Sequence, residues 1–291
     1  NATGGASPSN ESANDDSATA LQSDTNSASN DAPRVDWRKE NRFKWMITAD
    51  GTLVLRIAEL SDSNLKYESW RAYPDLIEHA DLSQLDTSQA KDLSNLFYGC
   101  TSLQNVDLSQ LDMSNVTSMR GMFADCKNLK SVNLSAIDTS NVTDMSSMFS
   151  GCQSLESIDL SQLNTTNVTD MRSLFSDCKK LGSIDLSAFK TENVTDVACM
   201  FYGCESLKNI SLSGLDMSSF TDMTNMFGFC KSLESINLQG INTSNVTSMV
   251  MLFFGCESLK NIDLSDLDAS STTNMTSMFN GTSITSLDLS N

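Results

Sequence analysis

Apolar and polar residues follow one short pattern that returns along most of this chain. In one copy, Ile158 and Leu160 alternate with the polar Ser157 and Asp159, which is the period of a half-buried strand. Further on, across residues 168–178, apolar residues recur at intervals of three and four, the spacing of one buried face of a helix or 3-10 segment. The pattern therefore predicts that each copy forms a strand, a turn, a short helical segment and a second turn.

The pattern returns with a fixed period of 26 residues. Seven cysteines mark this period without drift: Cys100, Cys126, Cys152, Cys178, Cys204, Cys230 and Cys256. Such a chain stacks copies of one unit, each contacting mainly its neighbours. Eight copies can be counted, although the first is degenerate and the last carries Thr282 where cysteine is expected. At about 4.8 Å per step, the strands would form a parallel sheet roughly 34 Å long.

Equivalent residues of the stacked copies form columns, and the apolar columns predict the core. One column is phenylalanine in every copy: Phe97, Phe123, Phe149, Phe175, Phe201, Phe227, Phe253 and Phe279. Two more columns are mainly methionine, which we interpret as a flexible core filler and not as a copper site. We interpret the cysteine column as buried free thiols, because seven members in register cannot all pair. Cys199 lies outside that column and is the candidate reactive thiol.

An asparagine column recurs in the same register: Asn115, Asn141, Asn167, Asn193 and Asn245. Asparagine side chains at the turn of each coil can satisfy backbone groups that would otherwise be unpaired. The same residues form Asn-Val-Thr, which matches the acceptor pattern for N-glycosylation. We favour the structural role, because the coil itself explains a motif that keeps the register of the core.

Segment Asp138–Cys152, Asp-Thr-Ser-Asn-Val-Thr-Asp-Met-Ser-Ser-Met-Phe-Ser-Gly-Cys, carries the wording that the copies share. This wording closely resembles the leucine-rich repeats of BspA-type bacterial surface proteins, over about residues 81–291. Pattern and resemblance both predict an α/β-type leucine-rich-repeat solenoid, with a parallel sheet on one face and short helical or 3-10 segments on the other. The resemblance further implies adhesion to host tissue, matrix proteins or other microbes, and it supplies no catalytic residues.

Two segments precede the eight repeats, which we place at 81–291. Residues 1–33 have almost no large apolar side chain, so we expect a disordered Ser/Asn/Asp-rich linker. Residues 34–80 resemble the entry module of the same family and are predicted to cap the open end of the solenoid. This segment contains all three tryptophans: Trp37, Trp45 and Trp70. The chain ends inside a strand motif and shows no export signal or anchor, so we expect a fragment truncated at its C-terminus.

Charge and motif content exclude several functions. The chain has 19 Lys and Arg against 37 Asp and Glu, a net charge of −18, which repels nucleic acids and anionic membranes. No catalytic triad, zinc-ligand spacing or EF-hand-like loop is present, so we expect no enzyme activity, no cofactor and no metal. High negative charge suits a soluble extracellular module.

Two sets of residues are candidates for ligand binding. On the sheet face, Asp159 and Asp185 belong to a polar column, and Lys208, Glu234 and Lys260 alternate in sign along another. Two interpretations stay open for this face: a solvated, self-complementary surface, or a shallow polar groove for a protein or glycan.

The second candidate set consists of aromatic residues that break the repeat: Tyr98, Tyr202, Phe229 and Phe254. Three other copies carry Ser or Ala where Tyr98, Tyr202 and Phe254 stand, and the copies other than that of Phe229 carry Gly or Asp where Phe229 stands. An apolar patch on a charged solenoid is a candidate contact site. Alternatively, these side chains pack under a neighbouring turn.

The leading hypothesis is a monomeric adhesin module on a bacterial cell surface or cell wall, which binds a host or microbial protein or a glycan. The alternative is a structural spacer that presents another domain of a larger surface protein. A spacer needs no special patch, so substitution of the aromatic residues distinguishes the two hypotheses.

Overall fold

The computed structural model describes residues 33–40, 43–57 and 69–287. All of them belong to one compact unit that spans Ala32–Asn291. The linker predicted at residues 1–33 lies, except for Pro33, outside the described residues, and the domain boundaries remain predictions. The described part of the chain contains no helix long and apolar enough to cross a membrane.

The described regular elements are short strands and one 3-10 helix. They are β1 Val35–Glu40, β2 Phe43–Ile47, β3 Thr52–Ile57, the 3-10 helix Ser69–Ala72, β4 His79–Gln84, β5 Asn105–Asp107, β6 Ser131–Asn133, β7 Asn209–Ser211 and β8 Ser235–Asn237. Strands β1 to β6 form one sheet in sequence order, antiparallel from β1 to β3 and parallel from β3 to β6. Strands β7 and β8 form a separate parallel pair.

The repeats form a leucine-rich-repeat solenoid, as predicted. Strand pairing joins residues 26 apart, as in Val106 with Val132 and Ile210 with Ile236. A second line of parallel bridges runs through consecutive coils, from Asp92–Ser118 to Ser248–Asn274. Each coil therefore contacts the next along two lines, one on the sheet face and one on the back.

The parallel sheet is interrupted between β6 and β7. Pairing reaches Asp107–Asn133, where the Asn133 Nδ2 donates to the Asp107 carboxylate at 2.9 Å. No described strand includes Asp159 or Asp185, which follow each other in the same column. Like charges directly opposite each other destabilise a strand pair, whereas an amide and a carboxylate attract. The Asp159–Asp185 neighbours lie within this interruption, but the described strands already end between Asn133 and Asp159, so the charge of this column does not by itself set where the strands end.

The back of the solenoid differs from the prediction, since the described repeats contain tight turns there and no helix. Successive backbone amides alternate between two acceptors, a carbonyl of the next coil and a carbonyl three residues earlier in the same coil. The Phe97 amide donates to Met122 in the next coil at 2.8 Å, and the following Tyr98 amide donates to Asn95 in its own turn at 3.0 Å. Asn95 and Gly99 have left-handed φ angles of 60° and 73°, which end any helical run. Buried apolar residues in these turns recur every three or four residues, as they would on one face of a helix, so the sequence pattern does not distinguish the two.

The predicted phenylalanine column forms the centre of the core. Consecutive rings from Phe97 to Phe279 stack with centroids 5.5 to 5.8 Å apart and interplanar angles of 3 to 10°. Seven of the eight rings are buried, and Phe279 in the last coil is half-buried. The methionine columns pack beside them and are buried in the inner coils, as expected of core filler.

The cysteine column consists of buried free thiols, as predicted. Each thiol from the second coil onward donates to the phenylalanine carbonyl of the preceding coil, as Cys152 does to Phe123 at 3.2 Å. Burial raises the pKa of the Cys152 thiol well above its ordinary value. These thiols therefore stay protonated and contribute to packing.

The tryptophan-rich segment covers the first coil. Trp45 and Trp70 are buried with ring centroids 6.3 Å apart, and Trp45 lies 5.8 Å from Tyr73. The Trp70 indole nitrogen donates to the Leu96 carbonyl at 3.3 Å. In the inner coils, the equivalent carbonyl accepts the phenylalanine amide of the preceding coil, as Met122 accepts the Phe97 amide. At the first coil, the Trp70 indole donates in place of that amide.

Candidate binding site

Three of the four candidate aromatic residues form one cluster across three adjacent coils. The Tyr202 and Phe229 centroids are 5.5 Å apart at 83°, and those of Phe229 and Phe254 are 5.2 Å apart at 76°. Both contacts are edge-to-face, an arrangement favoured by the ring quadrupoles. All three side chains are half-buried, so they pack against each other and still present part of their surface.

Two glycines make room for this cluster, and sequence reasoning missed their role. A Cβ atom on Gly228 would lie 3.1 Å from Tyr202 Cδ2, and one on Gly255 would lie 2.9 Å from Phe229 Cδ1. The other copies carry alanine, serine, asparagine or an aromatic residue at the position of Gly228. Gly228 is the single glycine of its column, and this departure from the repeat could have revealed the cluster.

Phe229 occupies a backbone position that suits glycine. Its φ angle is 57°, and the equivalent residues Gly151, Gly203 and Gly255 also have positive φ. For a residue with a side chain, the left-handed region costs roughly 1–2 kcal/mol. A bulky aromatic residue at this position is unusual. The backbone preference alone therefore does not explain why phenylalanine stands here.

A charge ladder flanks the cluster. The Glu205 carboxylate lies 3.1 Å from Lys231 Nζ and 3.4 Å from Lys179 Nζ, in the neighbouring coils. The hydrogen bond from Lys231 lowers the pKa of Glu205. These residues follow the cluster column closely in sequence, and the Lys231 amide donates to the Phe229 carbonyl at 2.9 Å. The aromatic surface thus has a rim in which opposite charges are paired.

Tyr98 does not belong to the cluster. It is 45% exposed and lies in the first coil, four coils before Tyr202, a separation of roughly 19 Å at the strand spacing. The structure therefore separates one sequence candidate from the other three.

The sheet-face candidates are exposed, and two of them have a local structural task. Asp159 Oδ1 accepts the Ser161 amide and Asp185 Oδ1 accepts the Ser187 amide, each at 2.9 Å. These backbone hydrogen bonds lower the pKa of both carboxyl groups. Both carboxylates therefore stabilise the turn that follows their own strand position.

The charged residues of the sheet face remain apart. Lys208, Glu234 and Lys260 are exposed, and in the described part of the chain no ion pair within 4.0 Å joins them. Exposed charges of this kind contribute little to stability. Their arrangement favours the solvated surface over an organised groove.

The asparagine column links the coils. Asn141 Nδ2 donates to the Ser114 carbonyl at 2.7 Å, and the other four asparagines make the equivalent bond. The predicted role in satisfying backbone groups is confirmed, although these side chains lie on the exposed surface. Cys199, the candidate reactive thiol, is half-buried, and this burial raises its pKa. A raised pKa lowers the fraction of reactive thiolate.

Comparison with known proteins places the repeats in a family. The model of the family described as "Mycoplasma protein of unknown function, DUF285" matches residues 72–183, 128–236 and 223–291. A search of curated proteins returns no significant match.

Two solved structures resemble the chain in repeat class. A leucine-rich repeat protein from Eubacterium ventriosum is 17% identical with a TM-score of 0.28, covering 88% of this chain and 96% of that one. A leucine rich cell surface protein from Faecalibacterium prausnitzii is 16% identical with a TM-score of 0.23, covering 85% and 96%.

Proposed function

The chain belongs to the family described as "Mycoplasma protein of unknown function, DUF285", and from its candidate site we propose that it is a binding module displayed on a bacterial cell surface. In this proposal, the solenoid recognises a protein or glycan of a host or of another microbe. It acts as a monomer outside the cell and catalyses no reaction.

The cluster of Tyr202, Phe229 and Phe254 carries this proposal. Aromatic residues dominate the energetics of many interfaces, because they bury a large area at a small cost in side-chain entropy. Here each ring is held by the next, and two glycines provide the space. A surface that is ordered before binding loses less entropy when the partner arrives.

The charge of the chain and of the site narrows the class of partner. With a net charge of −18, the chain is unsuited to nucleic acids and anionic lipids. At the rim of the cluster, Glu205 is paired with Lys179 and Lys231. A rim of paired charges around aromatic rings supports a partner with an uncharged contact surface.

The alternative function is a spacer that presents another domain. The uniform stacking of the phenylalanine column favours it, since seven equal steps make a regular rod. A spacer does not account for Phe229 in a left-handed position or for Gly228 beneath Tyr202.

Binding of the purified chain to arrayed host matrix proteins and glycans tests the proposal. The cluster variant combines Tyr202→Ser, Phe229→Gly and Phe254→Ser, each introducing a residue that other copies carry at that position. The sheet variant combines Lys208→Ala, Glu234→Ala and Lys260→Ala. We expect a saturable signal that the cluster variant loses and the sheet variant retains. The opposite pattern would place the site on the sheet face, and no signal from the unmodified chain would favour the spacer.

A further inference from the structure

The back surface of the solenoid changes from polar to apolar in three neighbouring coils. In the coils that end at Cys152 and Cys178, four equivalent positions of the back turns carry serine, glycine or charged residues. In the coils that end at Cys204, Cys230 and Cys256, six of these positions carry apolar or thiol side chains, and all six are half-buried. We call this surface the back strip, and its residues are Cys199, Tyr202, Phe229, Val250, Met251 and Phe254.

Val250 and Met251 extend the aromatic cluster along its last coil. The Phe254 amide donates to the Met251 carbonyl at 3.0 Å, so these two residues belong to one tight turn. The Val250 carbonyl accepts the Asn225 amide at 2.8 Å, which ties this turn to the coil of Phe229. Other copies carry Ser, Arg, Thr or Ala at the position of Val250, and Gly, Ser, Asn or Cys at that of Met251. Both aliphatic residues therefore depart from the repeat in the same coil as one of the three rings.

The stability of the fold does not explain Met251. Its φ angle is 53°, in the left-handed region, which costs a residue with a side chain roughly 1–2 kcal/mol. Its side chain stays half-buried, so it gains only part of the free energy that full burial would supply. Phe229, with a φ angle of 57°, combines the same two features. Two large apolar residues in left-handed positions of one surface indicate a role outside the fold.

Two pairs of polar side chains beside the back strip already bind each other. The Thr224 and Ser248 hydroxyls share a hydrogen bond of 2.7 Å, and Arg172 forms an ion pair with Asp196. A glycan gives up hydrogen bonds to water when it binds, and its hydroxyl groups then need donors and acceptors on the protein. The aliphatic residues of the strip offer none. The strip therefore suits the apolar side chains of a protein better than it suits a sugar.

Two acidic residues border the back strip on opposite sides. Asp222 precedes the back turn of the middle coil, and Glu257 follows the back turn of the last of the three coils. In the described part of the chain, neither carboxylate has a cation within 4.0 Å. The net charge of −18 adds a long-range attraction for a positively charged partner and a repulsion for a second copy of the chain. Charge complementarity therefore favours lysine or arginine on either side of the apolar contact.

We propose that the back strip binds a protein segment in which two or three large apolar side chains are flanked by lysine or arginine. The proposal rests on the binding function above, and it narrows the partner from a protein or glycan to a protein. The strip spans three coils, about 10 Å at the strand spacing, which corresponds to two or three side chains on one face of a peptide. These side chains cover Met251 and the rings, and the flanking cations pair with Asp222 and Glu257.

Selection from a phage-displayed library of random short peptides tests the proposal, with the unmodified chain as bait. We expect the enriched peptides to contain large apolar residues together with lysine or arginine. The strip variant combines Val250→Thr and Met251→Ser, which other copies carry at these positions, and it leaves the three rings in place. It should bind an enriched peptide at least about tenfold more weakly. Tyr98→Ser, in the first coil, should bind that peptide as the unmodified chain does.

A second variant tests the flanking charges separately. It combines Asp222→Asn and Glu257→Gln, the residues that Asn274 and Gln153 supply in other copies. We expect weaker binding of the enriched peptide at low salt and a smaller difference at high salt, because salt screens exposed charges. Melting temperatures of both variants, compared with that of the unmodified chain, separate loss of binding from loss of the fold.

Several results would overturn the proposal. They are a selection without enriched peptides, enriched peptides without large apolar residues, and an unchanged Kd for the strip variant. A dimer of the unmodified chain whose back strip is protected from hydrogen exchange would also overturn it. An array ligand that is a glycan, lost in the cluster variant, would overturn this proposal and uphold the proposed function. An array without any ligand would count against the proposed function itself.

Discussion

The hydroxyl of Thr165 joins two coils through the backbone of Lys190. It donates to the Lys190 carbonyl at 2.9 Å and accepts the Lys190 amide at 2.7 Å. The equivalent Thr191 is also buried, yet its hydroxyl has no hydrogen-bond partner. The coil after that of Thr165 has a threonine, Thr191, at the equivalent position. The coil after that of Thr191 has Met217 there. The same residue type thus has different roles in neighbouring coils.

Replacement of these two threonines by valine is predicted to have different effects on stability. Thr165→Val leaves the part-buried Lys190 amide without its acceptor and should lower the free energy of unfolding by about 1 kcal/mol. Thr191→Val removes a hydroxyl that is already unpaired, so it should be neutral or stabilising. Urea denaturation midpoints of the two variants provide the measurement. Equal destabilisation by both variants would contradict this account of the threonine column.

The succession of Asp159 and Asp185 in adjacent coils predicts a stabilising substitution. Asp185→Asn would let the new amide donate to Asp159, as Asn133 donates to Asp107, and would remove one of two like charges at equivalent positions of adjacent coils. A cross-strand pair of this kind contributes about 0.2–1 kcal/mol. We expect the gain in thermal stability to shrink at high salt, where the repulsion is already screened.

The control for this substitution is Asp216→Asn. Asp216 is also an exposed carboxylate that accepts an amide two residues on, but its equivalents in the adjacent coils are Lys190 and Asn242. It should give no gain in stability. A gain of the same size in both variants would show that loss of net charge, and not the Asp159–Asp185 contact, is responsible.

Two aspartates are predicted to respond to pH with opposite signs. Burial, together with the nearby Asp144 and Asp196, raises the pKa of Asp170 above its ordinary value of 3.8. Its charge therefore destabilises the fold at neutral pH, and this penalty disappears as the pH falls through the raised pKa. Asp170→Asn should stabilise the chain at pH 7 and lose that advantage on acidification toward 3.8.

Asp107 is the opposite case. Hydrogen bonds from the Ser109 side chain and amide lower its pKa, so its contribution is present above pH 3.8 and is lost as the pH falls through the lowered pKa. Asp107→Asn should therefore destabilise the chain at pH 7, with a difference that fades below pH 3.8. Thermal melts of both variants across this range provide the comparison, and parallel pH curves would contradict the assignment.

Phe229→Gly tests whether the aromatic cluster contributes to the stability of the fold. The substitution relieves a left-handed φ angle but removes two edge-to-face contacts, so we expect a net change within about 1 kcal/mol. Phe227→Ala, two residues away in the stacked column, should cost about 3–5 kcal/mol. A large loss of stability from Phe229→Gly would mean that the cluster is part of the core.

The sequence predicted the solenoid, its period and its core columns, because those properties repeat in every copy. The stacking of Phe227 on Phe253 and the burial of Cys230 follow directly from register. The back of the coil, predicted as short helical or 3-10 segments, consists of tight turns. Alternating hydrogen bonds to the next coil replace helical ones there, and the apolar spacing of the two arrangements is the same.

Features confined to a few coils, where the residues depart from the repeat, were harder to predict. The interruption of the sheet between β6 and β7 has no signal in the sequence, because the coils inside it carry the same strand pattern as the coils on either side. Gly228 stands out in the sequence as the single glycine of its column, but the structure shows why it is needed, because Tyr202 occupies the space that a side chain there would fill. Departures from a repeat are visible in sequence, but which of them meet depends on side-chain geometry.

The most direct test of the proposed site is a titration of the strongest array ligand with the unmodified chain, the cluster variant and Tyr98→Ser. Hot-spot residues contribute about 2 kcal/mol or more each, so the cluster variant should bind at least about 30-fold more weakly. Tyr98→Ser, which removes an exposed aromatic residue outside the cluster, should leave the Kd unchanged. Equal affinity of the cluster variant and the unmodified chain would contradict the assignment of the binding site to Tyr202, Phe229 and Phe254.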